Sequence, residues 1–286
     1  MPKRVAVVAD AISAEHAFPI WHRYYGGLFG PSNIFLVTYE GLSAQFRGFE
    51  FGGLIELPVP YDNPTRRSAL SHLVASLLAC YDMIIRVDAD EFLVVDPRVA
   101  HSLADYLEGL STPYVTARGF DVIQLFDDAA LPARPNSPVL LERTYAYPNT
   151  ALNKTCVVTM PVNWSDGFHW ANVYPKFGPL FMLHTKRLDI NWQLNLFAHM
   201  SLNIKDNPRA GEMLRSRYVP DETKIREYHR GVENRRRLQG IESWYRDELI
   251  VTFLDKLRLS PSGLYSGDYG HEHVLCEIPQ EWKVLI

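Results

Sequence analysis

Apolar runs alternate with amphipathic stretches along the first third of the chain. Arg4 to Val8 (RVAVV) leads into Ala9-Asp10, and Ile34 to Val37 (IFLV) leads into Thr38-Tyr39-Glu40. β-Branched runs ended by polar residues predict buried strands. Between them Phe18, Trp21, Tyr24, Tyr25 and Leu28 recur at spacings near three and four, which predicts a helix over 13–28 with an irregular start around Pro19. Leu54 to Val59 predicts a third strand. Asn63 then caps a helix with Pro64 at its first position and Leu70, Leu73, Val74, Leu77 and Tyr81 on one face, feeding a strand from Met83 to Val87.

Further on the alternation weakens. Asp96-Pro97 predicts another capped helix ending near Gly109, Tyr114 to Thr116 is extended, and Asp127 to Pro138 is a loop with three prolines. Thr155 to Met160 and Leu180 to Leu188 read as strands on either side of an aromatic-rich, turn-containing stretch, 163–177. Past Asp189 the chain is mostly helical, and its charged segment from Lys224 to Arg237 reads as a solvated face, with anion or partner contact as the sharper alternative. The expected fold class is α/β, a mixed sheet flanked by helices with a helical C-terminal region.

Composition narrows the function. With 286 residues, 47% of them hydrophobic and 22% charged, the chain is an ordinary globular protein of one large or two small domains. Its net charge of −4 gives no positive field for nucleic acid, so no nucleic-acid partner is expected. Cys80, Cys156 and Cys276 lie far apart and form no CxxC pair, which fits a reducing compartment better than a disulfide framework. The N-terminal apolar stretch is too short for a secretion signal. The longest uncharged apolar run, Leu73 to Cys80, is far below the ~20 residues of a membrane-spanning helix, so a cytoplasmic location is expected.

The chemistry concentrates in Ile84 to Asp96, IIRVDADEFLVVD, where a strand runs into Asp88, Asp90 and Glu91. Open α/β sheets bind ligands at the carboxyl ends of their strands, and crowded carboxylates repel one another unless a cation neutralises them. Oxygen ligands with room for phosphate suit Mg²⁺ or Mn²⁺. A solvated acidic turn after a strand is the ordinary alternative. A phosphatase of the haloacid dehalogenase type would place its D-x-D after the first strand with a hydroxyl residue two positions on, and Phe92 follows Glu91 here. An EF-hand loop would need glycine where Leu93 stands.

In this segment the sequence resembles the GT-A glycosyltransferases, particularly the family 2-like enzymes with a D-x-D-E-F signature. The resemblance also takes in WHRYYGGLFG at 21–30, the helix containing Arg66, YDMIIRVDADEFL at 81–93, NKT at 153–155, DGFHWA at 166–171 and LHTK at 183–186, and spans roughly residues 4 to 190. It implies a GT-A catalytic domain over 1–205, with a nucleotide-binding half to about 110 and an acceptor half from 111, followed by a mainly helical extension over 206–286. It implies a nucleotide-sugar donor, with UDP-sugars favoured, and a glycan or glycoconjugate acceptor. Asp90 becomes the principal metal ligand, Asp88 a ligand or ribose contact, and His184 the late histidine that completes the site. Asp10, Tyr39, Glu40, Arg66, Arg67, Lys154 and Lys186 become contacts to base, ribose or diphosphate. Asp166 is the first candidate for the base that deprotonates the acceptor, His169 the second, and Glu91 competes through its nearness to the metal. Trp164, Phe168 and Trp170 supply rings suited to stacking a sugar.

The E-D dipeptide that many family 2 enzymes use as base is absent, and a polyprenyl-linked acceptor would be met by peripheral membrane contact. Two other classes fit parts of the pattern. A metal-dependent phosphohydrolase would use the same carboxylates without an acceptor, and a non-catalytic carbohydrate- or nucleotide-binding module would account for the 12% aromatic content.

Overall fold

In the computed structural model, which describes residues 2–132, 137–205, 207, 212–270 and 272–286, the chain forms a mixed sheet with helices on both faces. The strands are β1 (Val5–Asp10), β2 (Ile34–Tyr39), β3 (Gly53–Leu57), β4 (Met83–Arg86), β5 (Glu91–Val95), β6 (Tyr114–Ile123), β7 (Tyr145–Pro148), β8 (Thr155–Val158), β9 (Phe177–Arg187), β10 (Arg236–Leu238), β11 (Arg258–Leu259), β12 (Tyr265–Ser266) and β13 (Val274–Glu277). The helices are α1 (Ala17–Phe29), α2 (Asn63–Leu77), α3 (Leu103–Glu108), α4 (Ile190–Lys205), α5 (Glu212–Arg217), α6 (Glu222–Glu233), α7 (Asp247–Asp255) and α8 (Gln280–Lys283).

The first half is a Rossmann-like unit. β3, β2, β1 and β4 lie side by side and are all parallel, joined by helical crossovers. The alternation of a strand's side chains decides the layers. In β1, Val5, Val7 and Ala9 pack with Phe18, Trp21, Tyr24 and Tyr25 of α1, while Ala6 and Val8 pack with Leu70 and Val74 of α2 on the opposite face. Beyond β4 the sheet turns antiparallel through β8, β6, β7 and β13, and β10 closes the far edge beside β13. β9 runs parallel to β6 and antiparallel to β5.

Several expected boundaries shift for local reasons. The cap of α2 is Asp62, whose carboxylate accepts the Thr65 N–H at 2.8 Å, so Asn63 already belongs to the helix. No helix starts at Asp96-Pro97. Asp96 is buried and bound by Arg98 and the Tyr245 hydroxyl, and α3 begins after Ser102, which caps Asp105 N–H. The aromatic helix begins only at Ala17, because the residues before it form a loop along the rim of a cleft. Residues 133–136 of the proline-containing loop lie outside the described residues.

The C-terminal segment carries α5 to α8 and also contributes β10 and β13 to the main sheet, with β11 and β12 forming a small ribbon. The charged stretch from Lys224 onward is solvated along α6 except at Ile225, His229 and Val232, which are buried. No helix among the described residues is long and apolar enough to cross a membrane.

His229 is enclosed between the Gln124 carbonyl at 2.9 Å and the Gln193 amide at 3.1 Å. Burial, aided by the nearby Arg187 and Arg143 charges, pushes its pKa down to about 4. The unfolded chain takes up this proton near pH 6.5 and the folded chain only near 4, so acid favours unfolding across that window. His229 therefore removes roughly 3 kcal/mol of stability between pH 6.5 and 4. Urea midpoints measured through this range will fall less steeply in His229→Gln, and equal slopes in the two proteins would refute the assignment.

Candidate active site

Strand register assembles the acidic residues. Val8 of β1 lies opposite Arg86 of β4 in the parallel ladder, so Asp10 and Asp88, each two residues further on, emerge together at the carboxyl ends. Three buried cations meet them. Arg66 of α2 donates to Asp10 at 2.7 Å and to Asp88, Arg86 donates to Asp88 at 2.6 Å, and Lys154 donates to Asp88 at 2.9 Å and to Glu91 at 2.6 Å. The Tyr39 hydroxyl adds a bond to Asp10 at 2.9 Å. Three carboxylates and three cations thus compensate one another where water cannot. Burial works against the Asp88 charge, but Arg66, Arg86 and Lys154 outweigh it and hold the carboxyl well below its ordinary range.

Two expected site residues are engaged within this cluster. Asp88, expected as a metal ligand, has both oxygens engaged by cations of the chain itself. Glu91, expected to compete as a base, is 0% exposed, with one oxygen on Lys154 and the other accepting the Asp88 N–H at 2.9 Å.

Asp90 has a different environment. Its carbonyl accepts from Thr185 N–H and hydroxyl at 2.8 and 2.9 Å, which fixes the turn against β9. Its carboxylate lies 3.3 Å from His184 Nε2. The β6–β9 ladder sets Asp121 directly beside His184, and His184 Nδ1–H donates to Asp121 at 2.6 Å, while Asn149 holds the other Asp121 oxygen at 2.8 Å. Burial disfavours a charged imidazole, yet Asp90 and Asp121 together push the His184 pKa up to about 10. The imidazole is therefore itself the positive charge that faces Asp90 and Asp121. No group of three or more His, Cys, Asp or Glu side chains able to hold a metal occurs among the described residues. A divalent ion here would have two protein ligands and draw the rest from substrate and water.

The DGF turn follows β8. Gly167 has φ 71° and Phe168 φ 60°, so two successive left-handed residues reverse the chain, the second in a conformation costly for a bulky side chain. The distortion carries the Phe168 ring onto Arg86, with the guanidinium carbon 3.1 Å from the ring centre, and near Arg66 at 4.7 Å. Phe168 and Trp164 are core residues and offer no face to a sugar. His169 lines the cleft, and its Nδ1–H donates to the Ala151 carbonyl at 2.6 Å. Asp166 points away, 47% exposed and paired with Arg67 at 3.1 Å, and neither of these two lines the cleft.

The cleft encloses about 220 Å³. Asp10, Arg66, Asp88, Asp90, Lys154 and His184 form its polar side, and Lys186 stands at the same wall with its ammonium over the Phe197 and Tyr218 rings. Tyr39 is buried behind Asp10, and Glu40 is exposed outside the cleft. The opposite wall was not foreseen. Trp192, Leu196, His199 and Met200 of α4 face the loop of Ala11 to His16, and His16, left-handed at φ 54°, stacks on Trp192 with ring centres 5.3 Å apart. Arg86 and Asp121 were missed as well. Each is a charged residue within an apolar strand segment, MIIR and GFDVI, a pattern that signals a buried partner.

No family profile and no curated protein matches the chain. Among solved structures it is similar to mannose-1-phosphate geranyltransferase from Thermus thermophilus, at 14% identity over 75% of this chain and 67% of that one, with a TM-score of 0.33. A likeness of that size carries no functional argument, and the α/β assignment rests on the strand order and register given above.

Arg86→Met strands Asp10 and Asp88 beside one fewer cation and is expected to lower the unfolding free energy by about 3–5 kcal/mol. Arg67→Ala breaks only an exposed pair and should cost less than about 1 kcal/mol. Urea denaturation of the two variants checks the contrast.

Proposed function

We propose that the protein is a metal-dependent glycosyltransferase of the GT-A type, which transfers a sugar from a nucleoside diphosphate to a hydroxyl of a glycan or glycoconjugate. The observation that carries this reading is the Asp90–His184 pair, set 3.3 Å apart on the polar wall of the cleft beside Lys186. That separation suits two neighbouring ligands of one ion, and the Asp121 bond orients the imidazole as a carboxylate behind a metal-bound histidine does. Mn²⁺ or Mg²⁺ held there would neutralise charge developing on the departing diphosphate.

The remaining roles belong to the chain's own residues. Lys186 presents a point charge toward the diphosphate, and Arg66 and Lys154 fix the Asp10–Asp88 edge against which ribose would rest. His169 is the base in this proposal, in preference to Asp166, because it lines the cleft. Its Nδ1–H bond to Ala151 fixes the neutral tautomer in which Nε2 is the basic nitrogen, the atom that takes the acceptor proton.

The test is thermal stability with UDP, GDP or CDP, each with and without Mn²⁺. One nucleotide should raise the melting temperature in a metal-dependent way, and Asp90→Ala should abolish the effect. In Asp121→Asn, Mn²⁺ affinity should fall about 10- to 100-fold while the fold persists. Stabilisation that survives in Asp90→Ala, or that none of the nucleotides produces, would overturn the reading.

A further inference from the structure

Near His169 the C-terminal segment adds a ring that the sequence pattern did not single out. Trp170 lies parallel to Tyr269, with an interplanar angle of 3° and ring centres 5.0 Å apart, and parallel to Phe253 at 10° and 5.8 Å. The stack runs from buried Phe253, through half-buried Trp170, to Tyr269, which is 41% exposed. Tyr269 also meets the His169 ring edge-on at 5.6 Å.

The placement is rigid. Thr150 N–H and hydroxyl donate to the Gly270 carbonyl at 3.3 and 3.1 Å, and the Gly270 N–H donates back to the Thr150 hydroxyl at 2.6 Å. The next residue, Ala151, supplies the carbonyl that holds His169. One short turn therefore fixes both the cleft-lining histidine and the outer ring. A partly exposed ring stacked on a tryptophan suits the C–H side of a pyranose, whose hydroxyls stay in water.

We propose that Tyr269 is a saccharide platform that seats the acceptor glycan beside His169, next to the cleft that this histidine lines. The assignment to the acceptor rests on the transferase reading, whereas the binding of saccharide does not. Trp170 acts as its support, since its ring stacks on both Tyr269 and Phe253.

The full chain, without nucleotide or metal, is titrated with maltohexaose, cellohexaose, chitohexaose and mannohexaose up to roughly 10 mM, which covers weak complexes, and binding is read by saturation-transfer NMR. At least one hexaose should bind. Tyr269→Ala should weaken it about tenfold and Tyr269→Phe by no more than about twofold, as stacking rather than the hydroxyl carries the contact. Nucleotide-dependent melting shifts measured on the same variants should match the wild type, which also shows that they are folded. The platform is overturned if no hexaose binds the wild type, if Tyr269→Ala binds as well as the wild type, or if Tyr269→Ala weakens the nucleotide instead. Saccharide binding that persists in a protein with no nucleotide response supports the platform and removes the transferase reading separately.

Discussion

Three carboxylates cannot occupy one buried strand edge without compensating cations, and this requirement organises the carboxyl-end edge of the main sheet. Arg66 comes from α2, Arg86 from β4 and Lys154 from the residue just before β8, so the cluster around Asp88 ties together elements far apart in sequence. Such a cluster contributes little net stability over an apolar core, because desolvating each ion offsets most of the attraction. Its effect is on geometry. Each donor bond fixes an angle as well as a distance, and together they set the turn between β4 and β5.

That turn then separates acids of similar sequence context into different roles. Asp88 and Glu91 are held by cations, whereas Asp90, which lies between them in sequence, pairs with His184 on the same wall of the cleft. Asp121 completes the arrangement from a neighbouring strand. The DGF turn is coupled to the same cluster, since Phe168 covers the two guanidinium groups while His169, one residue on, lines the cleft. A change in the ion cluster would thus reach both the Asp90–His184 pair and His169.

The parallel half of the fold was legible from the chain because its strands are continuous apolar runs and its helices carry clear periodicity. β6 was only partly legible. Its Arg118, Gly119 and Asp121 break the apolar pattern, and each is accommodated by a specific partner: Tyr245 and Gly178 for Arg118, the close approach of Leu152 for Gly119, and His184 for Asp121. β10 and β13 were illegible as sheet strands because they are short and gain their ladders only from β7 and from each other. Within the site, Arg66 and Arg67 looked equivalent. Arg66 falls four and eight residues before Leu70 and Val74, so it shares their buried face, while Arg67 turns outward to Asp166.

The sequence by itself determined that an α/β sheet ends in a cluster of acids, because apolar periodicity and local charge depend on neighbours within a few positions. Which acid is held by the cations Arg66, Arg86 and Lys154 and which pairs with His184 was decided only by tertiary structure. Asp88, Asp90 and Glu91 have nearly the same local surroundings, and their roles follow from Arg66, Lys154 and His184, residues that strand register and helix packing bring in from distant parts of the chain. A charge acts through space, and the low dielectric of the interior makes the nearest partner dominant.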